Sequence, residues 1–308
     1  MGLKVFAPAS VANMACGYDV LGFALNGPGD EIIIKKGGEK GLKITKITGA
    51  GGKLPYNVKS NTAGFAGLKL LEHLGLQDEP IALEIHKKMP FGSGLGSSAA
   101  SAAGAVMAIN EYLRRPLAKR DLLKFAVEGE QIADGAWHAD NVAPALLGGI
   151  VLVRDNASLD VHKIPVPRGL FATVIHPKIE VLTKEARAIL KKNISLKQCI
   201  AQTGNIAGLV VGLYNSDFDL IGRSLKDHII EPQRASLIPN FYTVQEAAMK
   251  NGALGCSISG AGPSIFALSN NSLNAENIGN AMQRVFADNK VDSKLYISPI
   301  NLEGTQLL

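Results

Sequence analysis

Short runs in which apolar and polar residues alternate open the chain, at Leu3–Ala7, Asp30–Lys36 and Leu42–Ile47. A period of two predicts half-buried strands, and Gly-Gly-Glu-Lys-Gly between the last two supplies a turn. From Thr62 the period lengthens: Phe65, Leu68 and Leu71 share a face, and Asn61 is placed to cap a helix over Thr62–Leu74. Alternation returns at Ile81–Lys87, a half-exposed strand. A Gly/Ser-rich stretch and a helix to about Leu113 follow. A second helix over about Lys119–Ala133 breaks at Asp134-Gly135, and Gly149–Arg154 with Val161–Ile164 reads as a hairpin.

Two prolines and a glycine in Pro165–Gly169 mark the best boundary, dividing the chain into 1–165 and 166–308. Beyond it the pattern predicts a strand at Phe171–His176 and helices near Thr183–Leu190, Leu196–Asn215, Phe218–Leu225 and Tyr242–Asn251. Strands at Cys256–Ser259 and Ser264–Leu268, a helix at Ala275–Ala287 and a strand at Leu295–Ser298 close it. Helices and strands mix without strict alternation, which predicts an α+β fold rather than a doubly wound parallel sheet. No internal repeat interrupts the pattern.

Composition narrows the function. With 46% hydrophobic and 19% charged residues among 308, the chain is globular rather than disordered. A net charge of +5 favours anionic small molecules, but no basic run interleaved with aromatics points to nucleic acid. Cys16, Cys199 and Cys256 lack metal-ligand spacing, so a reduced, cytoplasmic protein is expected. The uncharged run from Met89 starts Gly/Ser-rich, and its apolar part, Ala99–Ile109, falls short of the roughly 20 residues a membrane span requires.

The strongest chemical signal is the run Pro90, Phe91, Gly92, Ser93, Gly94, Leu95, Gly96, Ser97, Ser98, Ala99, Ala100, set between a strand and a helix. Glycines allow close backbone approach, and a helix N-terminus favours an anion, which together describe a phosphate cradle. It is neither a P-loop nor a dinucleotide fingerprint, since Ser97 replaces the third glycine. A flexible connector or a small-residue packing surface is the plain alternative. A second Gly/Ser cluster, Gly255–Phe266, could by itself be a tight hairpin between two strands. An uncharged loop, Pro8–Gly22, carries Asn13 and Asp19, and Glu130–Pro144 brings His138, Asp140 and Asn141 together.

These stretches together resemble the three motifs of the GHMP kinase superfamily. Pro8–Asn13, His138–Pro144, Thr183–Arg187 and Glu231–Arg234 are similar to the forms found in its homoserine kinase family. The resemblance runs end to end. It implies an N-terminal domain like domain 2 of ribosomal protein S5, a ferredoxin-like C-terminal domain, ATP as co-substrate with Mg²⁺, L-homoserine as acceptor and a homodimer.

The same resemblance assigns roles. Pro90–Ala100 would wrap the ATP phosphates, with Lys87 offering them charge and Ser98 and Glu130 holding Mg²⁺. Arg187 and Arg234 would take the substrate carboxylate, and Asp19, near Asn13, its ammonium. His138 and Asn141 would border the reacting hydroxyl, with Thr183 and Gly260 completing the wall. Asn141 cannot serve as a base, and Asp140 beside it is expected to point away if the segment is extended. Cys16 and Tyr18 stand where many members carry proline and phenylalanine; Tyr for Phe is expected to be mild. Another GHMP kinase, such as one acting on mevalonate, and a silent GHMP-fold binding protein are the alternatives.

Overall fold

In the computed structural model, which describes residues 2–135 and 137–308, two strands organise the first half. β1 (Leu3–Ala12) and β2 (Leu21–Lys36) run antiparallel in a register that pairs Leu3 with Ile34 and Ala12 with Gly22. β3 (Leu42–Thr48) lies parallel to β4 (Ile81–His86), which pairs β2. The hairpin β5 (Ile150–Asp155) and β6 (Asp160–Ile164) joins through β2.

Both opening strands are longer than their alternation predicted. Residues 8–12, read from sequence as loop, continue β1, and 21–29 extend β2 backwards. Pro8 had signalled an end, yet the pairing slips between Pro8 and Ser10, the kind of irregularity at which a sheet accommodates a residue without an N–H.

Of the next three helices, two pack against this sheet and the third packs against those two. α1 (Thr62–Leu74) starts at Asn61, whose side chain accepts from the N–H of Ala63 and Gly64, and ends at Gly75 in the left-handed region. α2 (Ser97–Tyr112) lies between α1, β1, β2 and α3 (Leu123–Asp134). Small residues permit that central position: Ala99, Ala102, Ala103 and Ala105 are fully buried. A Cβ on Gly104 would fall 2.6 Å from Ile32 Cγ1. The short α4 (Val142–Leu147), which the sequence pattern did not reveal, is buried beside it.

From Phe171 the chain builds a second sheet of β7 (Phe171–Pro177), β8 (Gly255–Ile258), β9 (Ile265–Ser269) and β10 (Ser293–Pro299). Its order is β10-β7-β9-β8, antiparallel throughout, the ferredoxin-like arrangement. Between β7 and β8 run α5 (Thr183–Ala188), α6 (Leu196–Asn215), α7 (Phe218–Ser224), α8 (Glu231–Arg234) and α9 (Phe241–Lys250); α10 (Ser272–Asp288) precedes β10. α9 and α10 pack on this sheet around Phe241, Ile278, Met282 and Phe286.

The two sheets share a core. Leu21, Phe23 and Leu25 of β2 pack with Val174 and Phe266, and the Phe23 and Phe266 rings meet edge to face at 5.8 Å. Such an aromatic pair contributes about 0.5–1.5 kcal/mol beyond its buried area. The chain finally returns to the first sheet: Ile300 bridges Leu25, and β11 (Gln306–Leu307) pairs β1. No described helix is long and apolar enough to cross a membrane.

Candidate active site

The Gly/Ser loop leaves β4 and enters α2 without a side-chain cap. Gly92, Gly94 and Gly96 all have positive φ, at 57°, 73° and 64°. Two of them are also sterically required. A Cβ on Gly94 would lie 2.4 Å from the Ser259 carbonyl, and one on Gly96 would lie 2.1 Å from Ser10 Oγ and 2.9 Å from Asn141 Oδ1. Hydrogen bonds fix the approach: Ser10 N–H donates to the Leu95 carbonyl, Ser264 N–H to Ser93 and Ser259 Oγ to Gly94. All three chemistry-bearing stretches therefore converge on this loop.

The loop fits a polyphosphate. The first N–H groups of a helix lack intrahelical acceptors, and those of α2 face the cleft with the positive end of the helix dipole. Ser93 Oγ and Ser97 Oγ are buried without a hydrogen-bond partner among the described residues. Ser98 Oγ donates to Glu130 Oε1 at 2.7 Å, joining a hydroxyl and a carboxylate of the kind a hard cation takes as ligands.

Lys87 requires a correction. Its ammonium is buried against Asp30 and also donates to the Ser97 carbonyl (2.6 Å) and Ser101 Oγ (2.7 Å), which uses its three hydrogens. It is not free to meet phosphates. Burial pushes its pKa down against the pull of Asp30. Asp30 in turn accepts from the N–H of Lys88 and Met89. The pair pins the first turn of α2 to the end of β4.

Across the cleft, the chain between β1 and β2 holds Asn13, Met14, Ala15 and Asp19 at positive φ. Asn13 acts as a strut: its Nδ2 donates to the Gly260 carbonyl (2.8 Å) and its Oδ1 accepts from the Asp19 N–H (3.1 Å). Arg187, on α5, is bidentate to Asp19, with Nη2–Oδ1 at 2.8 Å and Nη1–Oδ2 at 3.0 Å. Burial alone would lower its pKa, but the Asp19 hydrogen bonds and charge outweigh that and hold it above its ordinary value. Arg234, at the end of α8, is buried and donates to the carbonyls of Ala186 and Gly260 (both 3.0 Å). Burial holds its pKa below the ordinary value.

Tyr18 lies between the two arginines. Its ring sits 5.5 Å from the Arg187 guanidinium carbon and 5.1 Å from that of Arg234. Its hydroxyl accepts from Arg187 Nη1 at 2.9 Å and from Arg234 Nη2 at 3.5 Å. The exchange of Phe for Tyr thus adds an acceptor for both cations. Position beside Asp19 was the only available signal.

The segment before α4 is not extended. Asn141 has φ −94° and ψ −45°, a helical conformation, so Asp140 and Asn141 both line the cleft. The expectation that Asp140 points away fails for that reason. Asp140 Oδ1 pairs with His138 Nδ1 at 2.9 Å, and ligand atoms of Asp19, His138 and Asp140 lie within 4.8 Å of one another. Asn141 Oδ1 accepts from Ser10 Oγ at 2.9 Å. Thr183 and Gly260 line the same cleft, whose volume is about 880 Å³. Cys16 is buried, and burial pushes its thiol up to about 12, so it is inert packing beneath the loop.

Residues 61–149 match the family described as GHMP kinases N terminal domain, and residues 209–288 match GHMP kinases C terminal. The chain is 49% identical to a homoserine kinase of Chlorobium phaeobacteroides (strain BS1), over 98% of each chain. It is 46% identical to that of Chlorobaculum tepidum, over 98% and 97%. The crystal structure of homoserine kinase from Cytophaga hutchinsonii superposes with a TM-score of 0.97 at 53% identity, covering 100% of this chain and 97% of that one. L. major mevalonate kinase (TM-score 0.71, 17% identity, 96% of each chain) shares the fold.

An anchoring Lys87 makes a specific prediction. Lys87→Met should cost about 3–5 kcal/mol by stranding the buried Asp30 charge. Adding Asp30→Asn, which keeps an acceptor for the Lys88 N–H, should recover most of that loss in thermal and urea unfolding. A lysine that served phosphates instead would leave the melting temperature of Lys87→Met near wild type.

Proposed function

This chain belongs to the homoserine kinase family of the GHMP kinases, and from that premise we propose how its own residues carry the reaction. The reaction transfers the γ-phosphoryl group of ATP to the hydroxyl of L-homoserine, giving O-phospho-L-homoserine, a step of threonine biosynthesis. One observation carries the assignment of residues. A phosphate loop and a set of opposed charges, Asp19 and Asp140 against Arg187 and Arg234, line a single cleft.

Pro90–Ala100 wraps the donor phosphates through backbone N–H groups and the Ser93 and Ser97 hydroxyls. Ser98 and Glu130 would hold Mg²⁺, which when bound would supply charge neutralisation to the transferring phosphoryl group. Lys87 contributes by fixing the loop. At the acceptor end, Arg234 and Arg187 take the carboxylate, for which the guanidinium fork is well shaped. Asp19, joined by Asp140, surrounds the ammonium, and His138, paired with Asp140, borders the reacting hydroxyl with Asn141, while Asn13 and Gly260 hold Asp19 and Arg234 in place. Thr183 closes the wall.

Homoserine is bound by its charged end, so its hydroxyl arm extends toward Gly96 and Asn141, where the loop ends. The Asn141 amide cannot take the proton; it orients the hydroxyl. A loose phosphoryl-transfer transition state makes little demand on a base, so alignment and charge neutralisation supply the rate and the proton leaves late, to phosphate. Mevalonate carries a carboxylate but no ammonium and would leave Asp19 and Asp140 facing an apolar carbon.

We assign residues 1–165 to the ATP-binding domain and 166–308 to the second domain, and the protein to the cytoplasm. Three unpaired, widely separated cysteines support that compartment. We further propose a homodimer formed through α6. That helix exposes Leu196 (75%), Ile200 (63%), Val211 (48%) and Tyr214 (60%) on one side. Exposed Lys191 and Lys192 precede it and exposed Asp217 and Asp219 follow it, so an antiparallel two-fold pairing sets basic ends against acidic ones.

Coupled ADP-release assays should give robust turnover with L-homoserine and little with L-threonine, L-serine or mevalonate; preference for mevalonate would overturn the substrate assignment. Light scattering should report twice the chain mass for the native protein and a monomer for Ile200→Asp.

A further inference from the structure

Asp19 and Arg187 are assigned to opposite ends of one substrate, yet here they are bound to each other. The contact is bidentate, and both side chains are about 29% exposed, facing the cleft. Tyr18 Oη accepts from the same guanidinium, and no described group accepts from the buried Arg187 Nε. Arg187 therefore has a preferred seat without substrate, and that seat blocks Asp19.

An amino acid carries its ammonium and carboxylate on one carbon. A ligand whose ammonium reaches Asp19 thus brings its carboxylate to the guanidinium that Asp19 holds. We propose that the Asp19–Arg187 pair is a selectivity latch, opened only by a ligand that replaces both halves at once. This rests on the residue roles given above. A zwitterion exchanges one neutral pair for two, so no charge is left unmatched. A ligand with only one of the two charges takes one partner and strands the other, and stranding a charge is far costlier than exchanging it. The closed pair also competes with every ligand, lowering apparent affinity by the fraction of molecules that are open.

Selection should therefore be non-additive in the two substrate charges. The probes are L-homoserine, 4-hydroxybutyrate (no ammonium), L-homoserinol (no carboxylate) and butane-1,4-diol (neither), read as kcat/KM for ADP release. The diol leaves the latch closed and should be used no worse than either singly charged compound. Penalties that multiply, with the diol lower than both by their product, would overturn the latch. This comparison uses only the native protein.

Asp19→Asn supplies the second arm. By freeing Arg187 it should raise kcat/KM for 4-hydroxybutyrate by about tenfold, as a stranded charge regains a partner, while lowering that for homoserine. Loss on homoserine with no gain on 4-hydroxybutyrate would overturn the latch and leave the residue roles standing. No change on either would overturn both.

Discussion

The close approach of the Gly92–Gly96 backbone to two other segments is the constraint on which the rest depends. Gly94 lies against the turn between β8 and β9, and Gly96 against Ser10 and Asn141, at distances that no side chain permits. Through these contacts one loop joins the two sheets, and the hydrogen bonds to Leu95, Ser93 and Gly94 hold it there. The segments that line the cleft are adjacent because the loop lacks side chains at those points.

Charge in the cleft is arranged in two ways. The Lys87–Asp30 pair is fully buried and spent on the fold, with its remaining donors and acceptors on the backbone around the loop. On the other side, Asp19, Asp140, Arg187 and Arg234 remain at the cleft wall, with Tyr18 spacing the two guanidiniums. Buried pairs are rigid because separating them is costly. The cleft-facing Asp19–Arg187 pair is partly exposed, which is what lets the proposed latch exchange partners. The same chemistry is a scaffold in one place and, in the role proposed above, recognition in the other.

Much of the fold was legible locally. α1 begins at the predicted cap, α6 spans the predicted residues, and the strands of the second sheet fall within two residues of their alternation. These elements carry strong periods and clear caps, so local preference and tertiary packing agree. The misses have the opposite character. Residues 8–12 and 21–29 carry Pro and Gly signals that argue against a strand, and pairing between β1 and β2 overrides them. The four- and six-residue helices α8 and α4 are too short to show a period.

The sequence by itself determined the Gly/Ser loop between a strand and a helix, the α+β class and the residue types that line the cleft, because each depends on spacing within one segment. Roles that depend on partners from distant segments were decided only by tertiary structure. Lys87 is an anchor because Asp30, on another strand, meets it in the core. Asp140 belongs to the cleft because the chain turns into α4 at Asn141. Tyr18 matters because two arginines from the second half of the chain close on its ring. Asp19 and Arg187, 168 residues apart, are partners only once the two sheets pack together. Hydrogen bonds and ion pairs act over a few ångströms of space, and distance along the chain does not reveal which groups will share it.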